Sequence, residues 1–203
     1  MLGITQRLSV AALVTVAMSL AAAAAEVLSR DEADSMSVKI MRIEAAAAKP
    51  RAAGARPVRT AFTDREANAY FEHYGPEFLP PGIATPQVAI GDGGSVTARA
   101  IVDLDAVRLA HERSLLDPLA FVTGSVEVIA SGSVAGTDGF GIVRFESATV
   151  GGVTVPKAVA QELLRFYTRS PTRPNGFEFD KLFALPAGVR SVATEPGRAT
   201  IVQ

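Results

Sequence analysis

The chain has 203 residues, 48% of them hydrophobic, with a formal net charge of −1, no cysteine and no tryptophan. Without cysteine there is no disulfide staple, thiol nucleophile, thiolate metal ligand or lipid attachment through a thiol. The balanced charge gives no electrostatic reason to expect nucleic acid as a partner, and the scarcity of aromatics (6%) argues against a stacking platform for sugars or single strands.

Met1 to Arg7 carries one positive charge, Leu8 to Leu20 is an apolar run, and Ala23-Ala24-Ala25 precedes Glu26. Charge, short apolar helix and small residues in that order predict a cleaved signal peptide over residues 1–25, and so an exported protein of the periplasm or cell envelope. The alternative is a retained anchor. Leu8 to Ala25 is at the lower edge of what spans about 30 Å of hydrocarbon, and its last five residues are alanines. Cleavage would leave 178 of the 203 residues, enough for one domain with a sizeable core.

Ser29 to Ala48 reads as a helix. Ser29 can cap it, Asp31 and Glu32 suit its positive end, and Met36, Ile40, Ile43 and Ala47 recur at helical spacing. Lys49 to Arg59 follows, basic and proline-containing without an acid, and reads as an exposed linker. Lys49, Arg51, Arg56 and Arg59 there are either a solubilising loop or a peripheral contact with anionic headgroups. A second helix opens at Phe62, where Thr63 and Glu66 have capping-box spacing, and stops at Gly75-Pro76.

The period then changes to two. Gln87 to Ile90 reads as a short strand, Asp92-Gly93-Gly94 as a hairpin turn, and Ser95 to Leu104 as a strand. In that strand Val96, Ala98, Ala100, Val102 and Leu104 share one face, with Thr97, Arg99 and Asp103 on the other. Asp105 to Pro118 is a helical turn or a loop. Leu119 to Val134 and Phe140 to Val150 are strands joined through Asp138-Gly139, and Gly151-Gly152 ends the second. Pro156 to Tyr167 is a helix, with proline tolerated in its first turn. Phe177 to Leu185 contains a strand-like stretch, and Val189 to Thr194 with Ala199 to Val202 form a terminal hairpin. The fold class is α+β, a curved, mainly antiparallel sheet packed against one or more helices. The organisation is a signal peptide (1–25), an N-terminal helix with basic linker (26–60) and an α+β domain (61–203).

No strong catalytic signature appears. His73 and His111 lack metal-ligand spacing, so no metal and no cofactor are expected. Asp103 and Asp105 lie two apart at a strand end and could bind a cation or act as the paired acids of a hydrolase; a solvated strand end is the commoner reading. No G-x-S-x-G elbow or phosphate loop occurs, and the chain is expected not to be an enzyme. The strands are rich in small apolar residues, which leaves either an ordinary alanine and valine core or space for an alkyl ligand. The candidate lining residues are Val88, Ile90, Val96, Val102, Val126, Val128, Ile142, Leu163 and Phe166.

The order of elements favours the ligand. The helix opening Phe62-Thr-Asp-Arg-Glu-Ala-Asn-Ala-Tyr-Phe71, the Gly-rich strands, Val153-Thr-Val-Pro156 before a short helix, Leu185-Pro-Ala-Gly-Val189 and Gly197-Arg-Ala-Thr-Ile-Val202 follow one another over residues 60 to 203. This resembles the bacterial exported proteins of the tubular lipid-binding (TULIP-like) type, such as the LmeA-like phospholipid-binding proteins. The resemblance implies a helix against a curved sheet with a lipid between them, and supplies no catalytic residue. The expected function is therefore binding or carriage of a lipid or similar apolar ligand. An envelope interaction or scaffold module with a filled core is the alternative.

Overall fold

The computed structural model describes residues 27–48, 56–109, 123–170 and 173–203. Helix α1 (Arg30–Ala47) begins at a complete capping box: the Ser29 hydroxyl accepts the Glu32 amide at 3.2 Å, and the Glu32 carboxylate accepts the Ser29 amide at 2.9 Å. Helix α2 (Asp64–Tyr74) begins the same way, with Thr63 and Glu66 exchanging bonds of 3.1 and 2.9 Å. Ala33 of α1 and Ala67 and Ala69 of α2 are buried, and the two helices pack against each other.

A polar seam borders that contact. Glu66 also receives Lys39 at 2.5 Å and the Ser35 hydroxyl at 2.6 Å, while Arg65 pairs with Glu32. The bonds from Arg65 and Ser29 hold the Glu32 carboxyl down at about 2. Burial pushes the Glu66 carboxyl up, but Lys39, Ser35 and the Thr63 amide outweigh it and leave it below the usual carboxylate value. Both groups thus bind protons more weakly when folded than when unfolded. Their contribution is complete above the ordinary carboxylate value of 4.5 and is lost as pH falls below it, for Glu32 down toward about 2. The thermal midpoint is expected to drop over that window, and Glu32→Gln should make the drop shallower. An unchanged slope in the variant would place the acid sensitivity elsewhere.

Nine strands among the described residues form one antiparallel sheet: β1 (Arg59–Thr63), β2 (Ile83–Ile90), β3 (Ser95–Asp103), β4 (Ser125–Thr137), β5 (Phe140–Val150), β6 (Val153–Thr154), β7 (Phe183–Ala184), β8 (Ser191–Glu195) and β9 (Arg198–Val202). The main path runs β1-β9-β8-β4-β3-β2, and β5 pairs with β4, β6 and β7. Helix α3 (Leu104–Leu109) follows β3, and α4 (Lys157–Tyr167) follows β6. The α+β class and the antiparallel sheet stand as the residue pattern indicates. No described helix is long and apolar enough to cross a membrane.

Several boundaries differ from the sequence expectation. Arg59 is not linker but the first residue of β1, which pairs along its length with β9 and buries Thr60. β2 begins at Ile83, four residues before the expected start, and reaches Ile90 through a bulge between Ala84 and Gln87. Of Phe177 to Leu185 only Phe183–Ala184 is strand; instead Phe179 sets its ring 5.1 Å from Phe145, and Phe177 its ring 5.2 Å from Phe183. Aromatic packing onto β5, rather than ladder pairing, fixes most of that segment. The expected strand start at Leu119 and the end of the 105–118 segment lie outside the described residues.

Candidate functional site

The register of the central strands builds one apolar surface. Ile83, Val102 and Val126 lie in line across β2, β3 and β4. Val88, Ala98, Ala130 and Ala148 form a second row, Ala100, Val128 and Val150 a third, and Ile90, Val96, Gly132 and Phe145 a fourth. Side chains directly opposite across a ladder point the same way, and alternate residues share a face, so all four rows lie on one side of the sheet. The other side carries Gln87, Arg99, Thr97 and Glu127, with the Thr97 and Ser131 hydroxyls 3.0 Å apart and Arg99 paired to Glu127.

This apolar face is incompletely covered. Of its residues only Ile90 (8% exposed) and Ala148 (9%) are buried. The valines are half-buried and Ala98 is exposed. At the β5 end, Phe179 lies against Phe145, and Phe183 and Leu185 crowd Gly141. Helix α4 is fastened to that aromatic segment by polar bonds: the Gln161 amide donates to the Phe177 carbonyl at 3.1 Å and accepts the Phe179 amide at 2.8 Å. Lys157 meets Asp180 at 2.5 Å, and Arg165 pairs with Glu178. No α4 residue is buried, and Val159 is 49% exposed.

Six of the nine candidate lining residues therefore share the face: Val88, Ile90, Val96, Val102, Val126 and Val128. Ile142 does not. The bulge between Ser131 and Gly132 shifts β5 by one residue, which pairs Ile142 with Ala135 on the opposite side. Leu163 and Phe166 are half-buried on α4.

A cleft of about 630 Å³ lies at the β2 edge of the sheet, between α2 and β2, with Leu28, Phe71, Leu79 and Ile83 among its walls and Glu72 and Gln87 at its polar side. An adjoining hollow of about 580 Å³ shares Leu28, Asn68 and Gln87 and adds Asp64, Arg65, Val88 and Arg99. Ile83 belongs both to the apolar face and to the main cleft, whereas the hollow is lined on the sheet by Gln87, Thr97 and Arg99 of the other side, with Val88 on the edge that Asn68 bonds. Leu79-Pro80-Pro81-Gly82, a turn by its sequence, also forms part of the cleft wall together with Phe71, a relation the local pattern does not show.

Asn68 positions α2 along β2. Its side-chain amide donates to the Val88 carbonyl at 2.9 Å and accepts the Val88 amide at 2.7 Å, so it replaces a neighbouring strand at an otherwise open edge. Asn68→Ala removes both bonds and is expected to cost about 1–3 kcal/mol, read from urea unfolding. A loss below about 0.5 kcal/mol would show that the edge does not depend on this pairing.

The weighed acids serve backbone. Asp103 accepts the amides of Asp105 and Ala106 at 3.0 and 3.1 Å and so caps α3. Asp105 binds Arg108 at 2.5 Å and the Gly124 amide at 2.8 Å. The His73 ring contacts the Leu28 carbonyl at 3.1 Å, His111 lies outside the described residues, and no acid and histidine cluster among the described residues forms a metal site. No protein-family model, curated protein or solved structure matches the chain.

Proposed function

We propose that this chain is an exported cell-envelope protein that binds or carries a lipid or similar apolar ligand on the apolar face of its sheet. One observation carries the reading: four registered rows of apolar side chains, of which only Ile90 and Ala148 are buried. The remaining side chains are half-buried, with Ala98 exposed, and so keep part of their apolar area in water, which a ligand would cover. A ligand that removes about 200 Å² of it from water gains about 5 kcal/mol before the costs of association. The tubular lipid-binding resemblance supports the same reading, which needs no metal, cofactor or catalytic step. Peripheral contact with an anionic bilayer through Lys49, Arg51, Arg56 and Arg59 belongs to the proposal. Of these, Arg56 and Arg59 are exposed, and Lys49 and Arg51 lie outside the described residues.

Titration with Nile red, an uncharged apolar dye, tests it. Saturable uptake at about one dye per chain, reversed by a long-chain amphiphile, is the expected result. Absence of saturable uptake would overturn the ligand reading and favour a protein-binding scaffold.

A further inference from the structure

The charges around the α2–β2 cleft constrain what it admits. Among the described residues, the main cleft has one ionised side chain in its walls, Glu72, which is exposed on α2. Thr85 and Gln87 supply neutral donors and acceptors beside it. The adjoining hollow holds Arg65, Arg99 and Asp64. Arg65 is committed to Glu32 and the Val27 carbonyl, and Arg99 to Glu127. Two guanidinium groups thus stand against four carboxylates, Asp64, Glu72, Glu32 and Glu127, a balance of −2. A phosphate or carboxylate head would enter a net acidic groove and have to break an existing ion pair to gain a cation. A hydroxyl or amide head meets neither penalty.

We propose that the cleft receives the uncharged, hydroxyl- or amide-bearing end of an amphipathic ligand and discriminates against an anionic one. The alkyl part would then leave the cleft past Ile83, around the β2 edge, onto the apolar face. This rests on the ligand reading above.

The test displaces Nile red from the exported chain with three twelve-carbon amphiphiles below their micelle concentrations: monolauroylglycerol, laurate and dodecyl phosphate. Monolauroylglycerol should bind at least about fivefold more tightly than either anion. Glu72→Lys should raise the ratio of dodecyl phosphate to monolauroylglycerol affinity by about fivefold. Equal or tighter binding of the anions, or no response to Glu72→Lys, would overturn the head-group assignment while leaving the ligand reading in place. Dye uptake without displacement by any of the three would overturn it as well. No dye uptake at all would overturn the ligand reading itself.

Discussion

Gly94→Ala is expected to destabilise the fold by about 3 kcal/mol or more. Gly94 is buried and has φ +87°, a region that costs a residue with a side chain. A Cβ there would fall inside contact distance of the Val134 carbonyl oxygen, a backbone atom in the middle of β4. Its amide donates to the Thr194 hydroxyl at 2.7 Å, so the same residue joins the β2–β3 turn to β8. Three parts of the sheet would have to move to admit one methyl. Gly93→Ala is the control. It also has positive φ, at +62°, but its Cβ would meet nothing within 4 Å, so about 1 kcal/mol is expected from conformation alone. Urea unfolding of the two variants separates the terms, and equal losses would show that close approach to Val134 does not matter.

The second large effect is on ligand capacity. Val126 and Val128 are half-buried on the apolar face, opposite Val102 and Ala100 respectively. Replacing both with phenylalanine fills the surface where alkyl chain would lie. Both positions are half-buried, so part of the added volume reaches solvent, and the cost of overpacking is expected to stay within about 1–3 kcal/mol and leave the fold in place. Retained ligand is expected to fall at least about tenfold, equivalent to ~1.4 kcal/mol. Ile142→Phe, on the opposite side of β5, should leave it unchanged. Equal loss in both variants, or none in either, would remove the face from consideration.

Which parts of this were legible in the sequence follows from the range of the interactions. The caps of α1 and α2 are local: Ser29 with Glu32, and Thr63 with Glu66, sit three residues apart and read directly. The period-two alternation expected over Ser95 to Leu104 holds for β3 as far as Val102, while Leu104 instead opens α3, and the turn at Asp138-Gly139 places β5 to the residue. The failures are long-range. β1 is a five-residue segment with one large apolar side chain, Phe62, and its identity comes from pairing with β9 more than a hundred residues later. Ile142 was misplaced because a single bulge at Ser131/Gly132 inverts the facing of the rest of β5, and Gly132 alone does not announce it. The α2–β2 cleft depends on Asn68 bonding the backbone of Val88, a relation no periodicity encodes.

Mass spectrometry of the chain, recovered from an exporting host without detergent and compared in native and denatured samples, decides whether the sheet face holds a ligand. Ligand binding on the sheet face requires a native mass excess that disappears on denaturation and resolves into an alkyl-bearing molecule on extraction, with less of it in the Val126→Phe/Val128→Phe variant. A clean apo mass, together with no uptake of added monolauroylglycerol or phospholipid, would contradict it.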